Sequence, residues 1–453
     1  MTLPADLPDT RVADLGPGAI ARAPAAFRDL APGFAALPVA DPATWNAAGR
    51  ELYGAFRAAG VPVLRPLVFD APPRVSAAAL ARVGAALAAA APGPGLRAAP
   101  FAVGGGTIAE LCKAAAHAAG APCAVLATAA SSPTFAAPGA RLPDAATGVP
   151  ADLPCRAPVA VFAEPDVLAR APKRLAAAGY GELMALTVSG TDWLLAAGLA
   201  VEPPVALAAW DLFRAPLDAR LNHPHELALG EPEPLDALLR GLVDAGLAMQ
   251  RAGSGRPAYG SPRLFARVWE AAGAAPPGGP APAAGALAGV GALCALAVYD
   301  ALFAREFDPS DVDPALAAYP SLAQREAMVA SLFPDGPLRE AVLAECRAKH
   351  ASPDALRERL DRVADAWPEL RDRVDRTLMR WPRMQAMLFA AGAPSHPAQL
   401  GVPPARAAAA AIAAQMLDRR YTVLDLAYET GRFAECVEAV RDAFAPPTAP
   451  AAS

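Results

Sequence analysis

The 453-residue sequence predicts an α/β + all-α protein, in which a parallel-sheet domain is followed by a purely helical one. Three observations lead there. Up to about residue 165, short apolar runs alternate with helical patterns. A run of three glycines, Gly104, Gly105 and Gly106, lies between one such apolar run and a helix. From about residue 175 onward, helical periodicity continues with no convincing strand.

The elements follow in order. Residues 60–69 (GVPVLRPLVF) read as a strand, 76–91 as a helix, 100–103 as a strand, 107–119 as a helix and 122–128 as a strand. Helices are expected over 180–199, 234–251, 261–272, 285–303, 321–332, 337–349, 353–379, 381–390, 404–418 and 423–430. Residues 1–30 and 438–453 are rich in Pro, Ala and Asp without sustained periodicity. They are expected to be a loosely ordered extension and a disordered tail, flanking an α/β domain over 31–174 and a helical domain over 175–437. The Pro- and Gly-rich residues 273–285 read as a connector between two helices.

Composition narrows the function. An apolar fraction of 54% with 19% charged residues describes a folded soluble chain, and the Ala- and Pro-rich runs that inflate the first figure carry no function of their own. A net charge of −5 and the lack of a basic patch with interleaved aromatics argue against nucleic-acid partners. The first residues are acidic where a signal peptide is basic, and residues 284–298 are too short and too rich in Gly and Ala for a membrane span of about 20 residues, so no membrane partner and a cytoplasmic location are expected. A homo-oligomer is compatible with the sequence. The six cysteines are dispersed without a CxxC pair and are expected to be buried free thiols.

The segment FAVGGGTIAELCK (101–113) follows a strand and opens a helix. Glycines there let a pyrophosphate approach the backbone, and the free N–H groups of the new helix favour its charge. The strand ending in Thr128, Ala129, Ala130 and Ser131 sets hydroxyls beside that turn. This is the pattern of a Rossmann-like nucleotide-binding domain.

With Asp41, Thr44 and Gly49 upstream, Gly104 to Thr107 followed by Glu110 and Lys113, then Thr128 to Ser131, the sequence resembles the sn-glycerol-1-phosphate dehydrogenases of the iron-containing alcohol dehydrogenase superfamily. The likeness returns in AVFAEPDVLARAP, AAAGYGELMALTVSGTDW, AGLAMQRAGSGRPAYGS and RYTVLDLAYETG, and covers roughly residues 35–435. The resemblance implies NAD or NADP bound through Asp41, Gly104, Gly105, Gly106, Thr107, Glu110, Thr128 and Ser131. It also implies oxidoreduction of a small phosphorylated polyol or ketone.

The resemblance further implies a divalent metal, zinc, iron or nickel, held by one Asp and two His to polarise the substrate oxygen. Here the Asp position is Glu182, and the two His positions are Arg263 and Ala284; no histidine lies between His225 and His350. Glu182 is therefore the one remaining ligand candidate, because a guanidinium has no lone pair to donate. Arg263 either pairs with Glu182 or points to solvent, and these two are the catalytic candidates. The family's Ser-x-Asp-Gly run is Ser131, Ser132, Pro133 and Thr134, and its Lys after the metal-binding Asp is Leu186. Cofactor-side residues are better kept than substrate-side ones. Three readings follow: an oxidoreductase with an altered metal site, a catalytically silent nucleotide-binding relative with a regulatory or partner role, and an enzyme in which Arg263 serves as electrophile.

Other chemistry finds less support. His223 and His225, with Pro224 between them and Glu226 beside them, read as a surface turn, and His117, His350 and His396 as ordinary side chains. There is no G-x-S-x-G elbow. The Arg- and Asp-rich residues 353–379 read as a solvated helix face with local ion pairs.

Overall fold

The computed structural model describes residues 1, 3–90, 93–143 and 150–445, and divides into two compact units. The first comprises Met1–Gly179 with Ala208–Gly255, the second Tyr180–Leu207 with Arg256–Ser453.

In the first unit, six parallel strands form one sheet: β1 (Val12–Leu15), β2 (Phe34–Ala40), β3 (Leu67–Val68), β4 (Arg97–Gly104), β5 (Ala124–Ala127) and, numbered eighth along the chain, Ala160–Ala163. The remaining two, β6 (Ala140–Pro143) and β7 (Pro150–Leu153), make an antiparallel pair. With β8 denoting Ala160–Ala163, the sheet order is β1-β8-β5-β4-β2-β3. From β2 the chain steps to β3 on one side, then crosses to β4 on the other, so the direction of winding reverses between β2 and β4. Right-handed crossovers then put helix Arg50–Ala58 on one face, beside Ala19–Leu30, and helices Ala77–Ala89 and Gly106–Ala119 together on the other. In such sheets ligands bind outside the carboxyl ends of the strands at the reversal point. Here those ends are Ala40 and Gly104.

The sheet's core is aromatic. Phe101 on β4 packs edge-on to Phe56 at 5.6 Å and lies 5.9 Å from Phe162 on β8, while Phe27 packs against both Phe56 and Phe101. All four are fully buried, each contributing about 1.5–3 kcal/mol of transfer free energy. Helix Pro232–Ala252 completes the unit. Gln250 donates to Ala136 O at 2.6 Å and to Thr10 Oγ1 at 2.8 Å, and a Cβ on Gly246 would lie 2.7 Å from Pro133 O and the Ala137 nitrogen.

The fold class agrees with the sequence reading, but several boundaries do not. Residues 1–30 are not a loose extension: β1 pairs with β8, and Ala19–Leu30 buries Ile20, Ala23 and Phe27. Helix Phe433–Ala443 runs on into the expected tail through residues 438–443 and buries Cys436 and Val440, whereas residues 446–453 lie outside the described residues. Residues 208–255 group with the sheet rather than with the helical unit, for the packing reasons just given. Residues 60–69 supply only the two-residue β3 and one bridge, Ala36 to Val63.

The second unit is helical. Its centre is Ala284–Phe303, which is long and apolar enough to cross a membrane; 89% of its apolar window is buried within the protein. The helix agrees with the one expected over 285–303; only the apolar stretch weighed as a membrane span, 284–298, was taken too short. Trp367 on helix Pro353–Thr377 stacks on Phe303 at 4.6 Å. All six cysteines are buried and free, as expected, and burial pushes Cys123 up to about 12.

Candidate functional site

In the first unit the Gly-rich turn sits at the carboxyl end of β4. Helix Gly106–Ala119 starts without a side-chain cap, and its first intrahelical bond runs from Ala109 N to Gly105 O at 3.2 Å. The N–H groups of Gly106, Thr107 and Ile108 are thus the orphan donors of a helix start, where anions are favoured. A Cβ on Gly105 would meet only Ser131 Oγ, at 3.7 Å, and one on Gly106 would press on Ser132 at 3.1 Å. Thr128 N donates to Gly104 O at 3.2 Å. The structure therefore brings Gly104, Gly105, Gly106, Thr107, Thr128 and Ser131 to one place.

Two other cofactor candidates have local structural duties. Asp41 ends β2 as a helix cap: its Oδ1 accepts from Ala43 N and Thr44 N at 2.9 Å, and its N–H donates to Thr44 Oγ1 at 3.0 Å. Gly49 belongs to the same local device, because a Cβ there would lie 2.4 Å from the Trp45 ring. Glu110 accepts from Arg141 N at 3.5 Å. Lys113, wholly buried, donates to Ala137 O and Gly139 O at 2.9 and 2.6 Å, and burial lowers its pKa against the opposing pull of Glu110.

In the second unit, glycines let three helices approach closely enough to gather the other candidates. A Cβ on Gly181 would lie 2.5 Å from Gly285 O, one on Gly291 2.3 Å from Pro262 O, and one on Gly260 2.7 Å from Ser189 Cα. Helices Lys173–Gly198, Ser261–Ala271 and Ala284–Phe303 therefore meet backbone to backbone. At that meeting the Arg263 guanidinium donates to the Glu182 carboxylate, which is 3% exposed. The solvent-pointing alternative for Arg263 is excluded. Ala284 opens its helix and carries no ligating atom, and Leu186 is buried.

Sequence reasoning missed the residues that hold this arrangement. Asp192 is fully buried and accepts four hydrogen bonds: from Ser261 N and Oγ at 2.6 and 2.7 Å, from Tyr299 Oη at 2.9 Å and from Val423 N at 2.9 Å. Burial raises its pKa while these donors oppose the rise. Through Ser261 it fixes the start of the helix that bears Arg263. Tyr259, Arg267, Asp418 and Arg420 were also missed. Arg267 Nη1 and Arg420 Nη1 both donate to Asp418 Oδ2, at 2.9 and 3.0 Å. The spacing of Arg263 and Arg267, one helical turn apart, was the available signal.

His223 is exposed, adopts φ 65°, and lies with its Nδ1 3.5 Å from Glu226 Oε1; the pair is at the surface as expected, but His223 caps the helix Pro224–Leu229, which takes in His225, rather than forming a turn. Among the described residues no group of three or more His, Cys, Asp and Glu side chains is placed to hold a metal ion.

Residues 14–172 match the iron-containing alcohol dehydrogenase family. The glycerol-1-phosphate dehydrogenase [NAD(P)+] of Geobacillus thermodenitrificans is 33% identical over 170 residues, covering 38% of this chain and 41% of that protein. The match thus spans about two fifths of that relative's own length. Over the whole chain, a probable glycerol dehydrogenase from Sinorhizobium meliloti superposes with a TM-score of 0.59 at 17% identity, covering 96% of this chain and 95% of that one. The sulfoacetaldehyde reductase of Bifidobacterium kashiwanohense, solved in complex with NAD+, gives a TM-score of 0.56 at 12% identity, covering 96% and 99%. The resemblance read from the sequence is thereby found again over residues 14–172, and the fold over the whole chain.

Proposed function

We propose, for a chain that belongs with the iron-containing alcohol dehydrogenases through residues 14–172 and shares their fold, an NAD(P)-dependent oxidoreductase of the glycerol-1-phosphate dehydrogenase type. Its substrate is a small phosphorylated polyol or ketone. The observation that carries this reading is the uncapped helix start after Gly104 and Gly105, flanked by Thr128 and Ser131 at the point where the sheet reverses. Its orphan N–H groups suit the pyrophosphate of NAD or NADP, which when bound supplies a two-electron hydride acceptor. Gly105 leaves the backbone approachable, and Ser131 sets a hydroxyl beside it.

A divalent metal does not fit the residues present. The Glu182 carboxylate is already met by a guanidinium that stays protonated and has no lone pair to donate, and neither Arg263 nor Ala284 can replace an imidazole. No step is routed through a metal.

The same ion pair favours a second reading, a catalytically silent nucleotide-binding relative with a regulatory or partner role. A catalytic metal supplies several kcal/mol to the transition state, and each ~1.4 kcal/mol is tenfold in rate. An arginine already neutralised by Glu182 recovers only part of that.

Calorimetry with NAD and NADP, elemental analysis and turnover of glycerol 1-phosphate test both readings together. Cofactor binding with turnover supports the first, and metal-free turnover abolished by Arg263→Ala assigns Arg263 the electrophile's part. Cofactor binding with neither turnover nor metal supports the second. Absence of nucleotide binding sinks both, and about one bound metal per chain overturns the judgement of fit.

A further inference from the structure

In the first unit, the stretch from Ser131 to Gly139 leaves the end of β5 and runs along helix Gly106–Ala119 before entering β6. Its start lies on the opening of that helix. A Cβ on Gly105 would meet Ser131 Oγ at 3.7 Å, and one on Gly106 would meet Ser132 at 3.1 Å and Thr134 Oγ1 at 3.8 Å. Its far end is held about two turns further along the same helix, where Lys113 Nζ donates to Ala137 O at 2.9 Å and to Gly139 O at 2.6 Å. Between the two ends the chain is wound tight: Thr134 N donates to Ser132 Oγ at 3.2 Å, and Ala137 N to Pro133 O at 3.1 Å. A shift at Lys113 is therefore passed on to Ser131.

A lysine is an expensive choice for that duty. Lys113 is 2% exposed, burial lowers its pKa against the pull of Glu110, and among the described residues no carboxylate bonds to it. An apolar side chain of similar length would fill the space without desolvating a charge, but would leave both carbonyls without their donor. An ammonium carries three donors on one atom, so it bridges the two carbonyls from a single point. That point is where the stretch turns away from the helix: Gly139 adopts φ 74°, and its N–H donates to Cys155 O at 2.7 Å. Gln250 holds the intervening Ala136 O from the opposite side at 2.6 Å. Such supports are what keep a binding group in place before its ligand arrives.

We infer that Lys113 is a positioning residue for nucleotide binding: by pinning Ala137 and Gly139 to the helix, it holds the Ser131 hydroxyl beside Gly105 and the orphan N–H groups. The inference rests on the nucleotide-binding reading above and deepens it, adding a wholly buried side chain that acts through Ser131.

The test is a double-mutant cycle on NAD affinity, measured by calorimetry with the full-length protein. Ser131→Ala should weaken binding about threefold in the wild type, and Lys113→Met about tenfold. In the Lys113→Met background, Ser131→Ala should cost nothing further, because the hydroxyl is already out of place. A merely structural lysine would lower stability and leave the effect of Ser131→Ala unchanged, so additive losses overturn the inference. Should Lys113→Met fail to fold, the wild-type chain still answers through acetic anhydride labelling, read by mass spectrometry. NAD should slow acetylation of Lys113 several-fold more than that of Lys349 in the second unit. Equal slowing of both, or none, overturns the inference. Wild-type protein that binds NAD without this coupling or protection loses only the role of Lys113, whereas wild-type protein that binds no NAD sinks the nucleotide-binding reading itself.

Discussion

The two units treat their candidate residues differently. In the first, Gly104, Gly105, Gly106 and Thr128 form a backbone surface whose donors are left at a helix start. In the second, the equivalent resource is consumed internally: Glu182 is bonded by Arg263, and Asp418 by Arg267 and Arg420. A backbone site is insensitive to side-chain drift because glycine offers only N–H and C=O. A metal site depends on three side chains, and two changes are enough to end it.

That contrast can be tested by substitution, beginning where the effect is largest. Arg263→Ala strands a carboxylate that is 3% exposed, and should cost about 3–5 kcal/mol in chemical denaturation. The double variant Arg263→Met with Glu182→Leu should recover most of that loss; equal instability of the two would mean that the pair is incidental. Asp192→Asn turns an amide group toward donors that now meet a carboxylate, and should cost about 2 kcal/mol by the same measurement. An unchanged denaturation midpoint would remove Asp192 from its role in fixing the Arg263 helix.

A third change concerns pH in the first unit. Burial raises Asp244 from its ordinary 3.8 to about 6, against the pull of Arg220 at 3.4 Å. The folded state then holds a proton that the unfolded state has lost, so this group's contribution is full below about pH 4 and fades as pH rises to about 6. Over that window the wild type should lose about 3 kcal/mol relative to Asp244→Asn. Parallel stability profiles would refute it. The smallest effect should come from Gly105→Val: its φ of −88° admits any residue, so the fold should survive. Nicotinamide-nucleotide affinity should nevertheless fall about tenfold, or about 1.4 kcal/mol, by calorimetry. Unchanged affinity would move the nucleotide away from this turn.

The sequence was most legible where periodicity is long. Helices such as Pro337–Lys349 and Trp381–Ala390 end where the pattern predicts. Strands were hard because two of the inner ones contain proline and much alanine. Pro38 on β2 pairs opposite Phe101, and Leu37 opposite Pro100 on β4, so β2 was missed and β4 shortened. At the site, the Gly-rich turn and the exchange of two histidines for Arg263 and Ala284 were visible as departures from a pattern. Asp192 and Asp418 were not, because Asp192 takes its partners from 69 to 231 residues away, and Asp418, beside its neighbour Arg420, takes one from 151 residues away. Charge identity alone does not distinguish a buried carboxylate with four donors from a solvated one.

The burial of every cysteine gives the protein an internal set of reporters. Cys112, Cys123 and Cys155 lie in the first unit and Cys294, Cys346 and Cys436 in the second. A thiol reagent can modify none of them without a local or global opening. Counting labelled sites by mass against time, with peptide mapping, then records which unit opens first and whether nucleotide slows one set while leaving the other untouched.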